Sequence, residues 1–338
     1  MHLRQRLGAR RTARHVIQDV NVGAIPALTG RFRVVGADEV ALVGDAPKNL
    51  IDFEGERNHQ YIAKAPRREG YPECVTEYLI AQVASLLPLR VARARLATIG
   101  RCPDGTPDVR FLSRIFCFPP ERLVHGIELV ARAMSLPTEV VAREVHQAAD
   151  RERGFYGANF VCEILRDRCA HDGAADQLRI AFARMLAFDA LVGANDRHAM
   201  NWGVIENVED PDQPPRFAPL YDTARGLFWN LKDKQLATRT PRARQDLLVR
   251  YANKSTALIG APGSPKGSHF DLIRYVMRER SLGLHREVAR VVRAFRPHEA
   301  RRILHYRFGR LFSRLRLELI YDVLEYRHKV LCDVVEAS

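Results

Sequence analysis

Short runs rich in β-branched residues, separated by Gly, Asp, Asn and Pro, dominate the chain from about Phe32 to Phe118. They are Arg33-Val34-Val35, Val40-Ala41-Leu42-Val43, Asn49-Leu50-Ile51-Asp52-Phe53, Gln60-Tyr61-Ile62-Ala63, Leu96-Ala97-Thr98-Ile99 and Val109-Arg110-Phe111-Leu112-Ser113. The pattern predicts a small antiparallel sheet. One segment changes the period: from Glu73 to Leu87, the residues Val75, Leu79, Ile80, Val83 and Leu87 share one face at helical spacing. After Pro119-Pro120 the helical period takes over, near Thr138–Ala148, Gly157–Arg168, Asp176–Val192, Phe270–Arg280, Leu284–Arg296 and His298 to about Val335. Among these helices lies a polar stretch, Asn195–Asn230, whose turn residues punctuate short runs such as Trp202-Gly203-Val204-Ile205. A loop island inside a helical lobe is where chemistry is usually placed. The expectation is an α+β protein: a β-rich lobe with one helix over residues 1–118 and a larger, mainly helical lobe over 119–338.

Composition narrows this picture without redirecting it. The 338 residues are 46% hydrophobic and 28% charged, the mix of a folded globular chain. Fifty-three Lys+Arg against 40 Asp+Glu give +13, which attracts phosphates, acidic proteins or nucleic acid without choosing among them. Only Lys48, Lys64, Lys232, Lys234, Lys254, Lys266 and Lys329 are lysine. A lysine kept in an arginine-biased chain hints at a compact ammonium where a planar fork is not wanted. Arginine concentrates between Arg274 and Arg316, interleaved with Leu284, Val288, Val291, Val292, Ile303, Leu304 and Leu311, as expected of packed helices with a basic outer face. A solvated face is the plainer account of that charge; as a docking surface it suits an acidic protein or a tRNA-laden target better than duplex DNA. The cysteines Cys74, Cys102, Cys117, Cys162, Cys169 and Cys332 form no C-x-x-C pair, so reduced, mostly buried thiols and a cytoplasmic setting are expected. Met1–Arg14 carries five arginines and no apolar h-region, unlike a secretory signal, and no apolar run is long enough to span a bilayer.

The chemistry concentrates in Gly193-Ala194-Asn195-Asp196-Arg197-His198-Ala199-Met200-Asn201-Trp202-Gly203 and in Ala218-Pro219-Leu220-Tyr221-Asp222-Thr223-Ala224-Arg225-Gly226. Asp196 and Asn201, five positions apart, and Asp222 after a short hairpin supply a carboxylate to orient a hydroxyl and two oxygen ligands for Mg²⁺. Either half alone is also what an Asx-turn or a helix cap looks like. Together they have the order and spacing of a kinase catalytic loop and metal loop. Phosphoryl transfer also needs a cation on the α/β-phosphates and a carboxylate to hold it. Lys64 ends an apolar strand and Glu77 lies in the following helix, in kinase order. The turn Val43-Gly44-Asp45-Ala46-Pro47-Lys48 precedes them as a candidate phosphate loop, although it is neither G-x-G-x-x-G nor a Walker sequence.

These residues resemble, in their order, the HipA-like serine/threonine kinases, best known as toxins of bacterial toxin–antitoxin pairs. Gly44-Asp45-Ala46-Pro47-Lys48 is similar to the family's phosphate loop, and Ile62-Ala63-Lys64-Ala65-Pro66 to the context of its ATP lysine. Thr76-Glu77-Tyr78 is similar to its Asn-Glu-Tyr helix start, and the nucleotide hinge falls at Ser113, Arg114, Ile115 and Phe116. Asp196, His198 and Asn201 match its Asp-x-His-x-x-Asn, and Pro219, Tyr221 and Asp222 its Pro-x-Tyr-Asp. The resemblance implies a bilobal protein-kinase-like fold binding ATP and Mg²⁺. Asp196 is then the catalytic residue and Asn201 and Asp222 the metal ligands. Val43 to Lys48, Lys64, Glu77, the hinge, His198 and Tyr221 face the nucleotide. It implies a protein substrate with a Ser/Thr acceptor, and an antitoxin through which alone DNA is engaged. Departures are plain: the family's regulatory serine aligns near Ala41, Pro47 removes a backbone donor from the loop, and the space before Lys64 suits a shorter variant. Two other readings stay open. Asp-Arg-His-x-x-Asn is also similar to the catalytic loop of phosphatidylinositol kinases, for which Leu227-Phe228-Trp229 is the candidate membrane-facing loop. A non-catalytic ATP-binding pseudokinase or adaptor would act through its arginine surface.

Overall fold

The computed structural model describes residues 19–35, 48–54, 59–66, 72–147, 156–168, 172–262 and 267–338. The expected strand Val40–Val43 and the phosphate-loop residues Val43, Gly44, Asp45, Ala46 and Pro47 lie outside them.

The β-branched runs form strands β1 (Phe32–Val35), β2 (Lys48–Phe53), β3 (Gln60–Lys64), β4 (Ala94–Arg101) and β5 (Pro107–Arg114), with helix α1 (Glu73–Ala84) between β3 and β4. They make one antiparallel sheet in the order β1-β2-β3-β5-β4. Because side chains alternate across a sheet, each strand serves two environments. Ile51, Phe53, Tyr61, Ala63, Ala97 and Leu112 close a small core on one face. Leu96 and Phe111 join the larger core with Val75, Leu79, Ile80 and Val83 of α1 on the other. Lys64, one step from Ala63 and paired across the ladder with Phe111, is therefore turned to the face that α1 covers.

The helical lobe begins with β6 (Glu121–His125), α2 (Gly126–Met134), α3 (Thr138–Gln147), α4 (Ala158–Asp167) and α5 (Asp172–Val192). The island contains β7 (Gly203–Asn207) and β8 (Arg216–Phe217), which with β6 make a second antiparallel sheet in the order β6-β7-β8. Then follow α6 (Asp233–Ala237), α7 (Pro241–Lys254), α8 (His269–Arg278), α9 (His285–Ala294), α10 (Pro297–Phe308) and α11 (Arg314–Glu336). Sequence periodicity missed β6, α2 and α7. For β6 the reason is that five residues acquire a strand only through a partner far along the chain, from His125 opposite Gly203 to Glu121 opposite Asn207. For α7 it is a weakly apolar sequence started by the Thr240 side-chain cap and a proline in the first turn.

The long helix expected from His298 to Val335 is two helices. Residues Gly309 to Phe312 turn out of the helix although Phe308, Leu311 and Phe312 keep the i, i+3, i+4 spacing of one buried helical face, and the Ser313 hydroxyl caps the new helix by accepting from the Arg316 amide at 3.2 Å. The arginine face is also less uniform than expected, since Arg316 and Arg327 are fully buried. Arg316 Nε reaches Asp233 Oδ1 at 2.6 Å. Arg327 has carbonyl partners, those of Ala190 (2.7 Å) and Ala252, near the C-terminal ends of α5 and α7 where carbonyls lack helical partners. Of the described cysteines, Cys74 and Cys162 are buried while Cys102, Cys117 and Cys332 are partly exposed, fewer buried than expected.

The lobes touch through main chain as well as side chains. Leu220 N donates to Arg90 O at 2.8 Å and Ala92 N donates to Leu220 O at 3.0 Å, which ties the segment before β4 to the residue two before Asp222. Within the range assigned to the small lobe, Asn21 touches the helical one, its N donating to Leu311 O at 2.8 Å, and Ile25 packs into the large core that both lobes share.

Candidate active site

Lys64 is the centre of the arrangement. Its ammonium lies 2.8 Å from Glu77 Oε1 and 3.0 Å from Asp222 Oδ1, so one cation joins β3, α1 and the loop after β8. Glu77 lies in the second turn of α1, which starts at Glu73 as the periodicity predicts. Lys64 and Glu77 are both buried, a state that costs several kcal/mol per ion unless the charges are paired. Burial pushes the Glu77 carboxyl up to about 7 against the pull of Lys64. Burial would raise Asp222 too, but Lys64, then Lys48 and His198, hold its carboxyl below the ordinary range. For Lys64 burial works against the charge, and the two carboxylates more than offset it, so its pKa is raised. Lys48 sits directly across the β2–β3 ladder from Lys64, which places both lysines on one face.

Asp222 is held with φ +51, and Leu227 and Phe228 with φ +48 and +62. Non-glycine residues in the left-handed region cost about 1–2 kcal/mol each and persist only where surroundings over-determine them. Here Tyr251 Oη accepts from Leu227 N at 2.6 Å, and Arg316 donates to the carbonyls of Phe228 and Leu231. Leu227 and Phe228 are buried in the core and Trp229 is half-buried, so two of the three residues of the Leu227-Phe228-Trp229 run are turned away from any membrane.

The catalytic-loop residues come next to this loop. Arg197 is buried and forms two bonds to Asp189 of α5, at 2.8 and 3.0 Å, while its Nη1 donates to Asn201 O (2.6 Å) and Tyr221 O (3.0 Å). One guanidinium thus fixes the loop carrying Asp196 and Asn201 against the loop carrying Asp222. The Asn201 amide nitrogen donates to Asp196 O at 2.7 Å, which commits that nitrogen and leaves the side-chain oxygen as the atom available to a cation. Asn201 and Asp222 therefore present two hard oxygen donors, the set Mg²⁺ takes when phosphate and water complete its shell. His198 Nδ1 accepts from Met200 N at 3.2 Å, and its Nε2 is 3.9 Å from Asp196 Oδ1. The Tyr221 hydroxyl donates to Met200 O at 3.1 Å and meets His125 Nδ1 at 2.9 Å, while its ring lies 5.8 Å from that of Phe116. Ser113 and Arg114 are the last residues of β5; Arg114 N donates to Arg93 O (2.8 Å) and Ile115 N to Gln60 O (2.9 Å), so the hinge segment leaves the sheet beside β3.

Direct contacts and the Arg197 bridge bring Lys64, Glu77, Asp222, Asn201 and Asp196 together, with Lys48, His198, Tyr221 and Phe116 near them. Sequence reasoning missed Asp189, Arg225, His125 and Tyr251. Arg225 Nη1 lies 3.1 Å from Asp196 Oδ1. Asp189 had a readable signal, a lone carboxylate within Phe188-Asp189-Ala190-Leu191-Val192. Among the described residues no cluster of three or more His, Cys, Asp or Glu is placed to hold a metal ion.

A β-rich lobe with one helix above a helical lobe, with these loops between, is a kinase-like α+β fold. A family model described as the HipA-like C-terminal domain matches residues 40–290, and the chain belongs to that family. Two solved structures resemble it. One is the *Helicobacter pylori* proinflammatory kinase CtkA, at TM-score 0.69 and 16% identity, covering 92% of this chain and 97% of that one. The other is HipA of *Shewanella oneidensis* MR-1, solved with HipB and its operator DNA, at TM-score 0.50 and 14% identity, covering 93% of this chain and 73% of that one. No curated protein matches the chain in sequence.

Proposed function

We propose that this chain is a HipA-type kinase that transfers the γ-phosphoryl group of ATP to a Ser or Thr hydroxyl of a protein, with Mg²⁺ as its metal. The observation that carries the reading is Lys64 bridging Glu77 and Asp222, because phosphoryl transfer requires a lysine held by a helix carboxylate next to the metal-binding aspartate. Lys64, with Lys48 beside it, would grip the phosphates. Asn201 and Asp222 would hold Mg²⁺, which supplies charge neutralisation along the phosphate chain. Asp196 orients the acceptor hydroxyl and takes its proton. Ser113, Arg114, Ile115 and Phe116 border the nucleotide between the lobes. The buried Leu227 and Phe228 favour a protein acceptor over a lipid one.

By analogy with the neighbour solved with HipB and DNA, the chain would be the toxin half of a cytoplasmic pair, silenced by an antitoxin and reaching DNA only through it. Among the described residues no helix is long and apolar enough to cross a membrane.

The test is γ-labelled ATP and Mg²⁺ with casein, myelin basic protein and lipid vesicles as acceptors. Label on protein, lost in Asp196→Ala, is the expected result; label on lipid would replace the acceptor, and ATP binding without label would replace the activity. Expression that arrests growth for wild type but not for Asp196→Ala tests the toxin role.

A further inference from the structure

We propose that Arg225 is a catalytic cation of this site, the guanidinium that meets the transferring phosphoryl group beside Asp196. The inference rests on the phosphotransfer reading above. In that reaction the transition state spreads charge over three equatorial phosphoryl oxygens, and rate comes mainly from cations already in place.

Most of the described cations near the site are already committed. Lys64 lies buried between Glu77 and Asp222. Arg197, next to Asp196 in sequence, is 3% exposed and bound twice to Asp189, so its charge is spent on tying two loops together. Lys48 is in the small-lobe sheet beside Lys64, which suits it to the far end of the phosphate chain. His198 carries charge only when protonated.

Arg225 differs from all of these in how it is built in. It lies three residues after Asp222, and Asn195 N donates to its carbonyl at 2.9 Å, so the backbone sets the metal loop alongside the residue before Asp196. Its Nη1 then falls 3.1 Å from Asp196 Oδ1, and its guanidinium lies over the Trp229 ring at 5.7 Å from the centroid. The Nε is buried without a hydrogen-bond partner, while the side chain as a whole is 31% exposed, so it is anchored inside and opens outward beside Asp196. Stacking on an aromatic ring fixes the plane of a guanidinium without using its donors.

In the step itself, a lone pair of the acceptor hydroxyl forms the new O–P bond. The bond from the γ-phosphorus to the β–γ bridging oxygen breaks, and its electron pair leaves on ADP. The hydroxyl proton passes to the Asp196 carboxylate. Arg225 donates to the phosphoryl oxygens during the transfer, and it steers Asp196 before it.

An ion pair that only steadied Asp196 would give a different signature, and the full chain separates the two. Wild type, Asp196→Ala, Arg225→Ala and Arg225→Lys are compared for label transfer to casein and myelin basic protein, for nucleotide affinity and for thermal unfolding. Arg225→Ala should lower turnover by about 100–1,000-fold with nucleotide affinity changed less than about threefold. Methylguanidinium added to Arg225→Ala should recover part of that turnover, and Arg225→Lys should exceed Arg225→Ala. Turnover in Arg225→Ala within about fivefold of wild type overturns the inference alone. So does a loss matched by weaker nucleotide binding, or Arg225→Lys no better than Arg225→Ala together with no rescue. Wild type without transfer, or Asp196→Ala with undiminished transfer, brings down the phosphotransfer reading and this inference with it.

Discussion

Replacing Asp189 by Asn removes the charge that balances Arg197. The pair is 4% and 3% exposed, and Arg197 also serves Asn201 O and Tyr221 O, so no water can substitute for the lost carboxylate without opening the loop. Breaking a buried pair by removing one partner costs about 3–5 kcal/mol, because the remaining ion stays desolvated. At about 2 °C per kcal/mol for a chain of this size, the melting temperature should fall by roughly 6–10 °C. The informative control removes both ions: Asp189→Leu with Arg197→Met leaves an apolar contact of similar volume, which is often neutral or stabilising. That double variant should melt above Asp189→Asn but below wild type, because the Asn201 and Tyr221 carbonyls lose their shared donor, and it should transfer little phosphate because that donor joins the two loops. Thermal unfolding and label transfer on the same preparations are the assay. Asp189→Asn melting within about 2 °C of wild type, or a fully active double variant, would refute the argument.

Two further outcomes follow from burial. Burial, and secondarily Arg327, lowers the pKa of His269 from 6.5 to about 3, so the unfolded chain binds a proton that the folded chain refuses. The stability this residue contributes is complete above pH 6.5 and is lost as pH falls toward 3, at about 1.4 kcal/mol per pH unit. Urea unfolding at pH 7 and pH 5 should therefore show wild type losing about 2 kcal/mol relative to His269→Gln, and an unchanged difference would sink the assignment. Gly203→Ala would put a Cβ 2.3 Å from Val124 O, within the β6–β7 ladder that leads out of the catalytic loop. Scanning calorimetry should show a loss of about 1–3 kcal/mol.

The chemistry was legible where it depends on spacing along one element. Alternation in β3 turns Lys64 toward α1, and Asn201 follows Asp196 by five positions however the lobe packs. What could not be read were partners chosen by topology. Asp189 and Arg197 meet because the chain folds back at the end of α5; periodicity places that helix end, but does not show which side chain of the following loop faces it. Arg225, Arg316 and Arg327 are three arginines among many in the sequence. Only the fold makes one a neighbour of Asp196, one a clamp for the strained loop, and one a cap for two helices. The break at Gly309–Ser313 was hidden because the apolar period continues through it.

The segment at residues 19–25 changes how the small lobe is suspended. The chain lies on the helical lobe at Asn21 and crosses to β4 at Leu28, whose amide donates to Thr98 O at 2.8 Å. It returns at the hinge after Arg114. The small lobe is thus moored to the helical one at three places along its chain: at the segment before β1, at Arg90–Ala92 against Leu220, and at the hinge after Arg114. With Lys64 paired to Asp222 across the same boundary, main chain and side chain together fasten one lobe to the other from separate sides, so the register of the two lobes is set by the backbone before any ligand arrives.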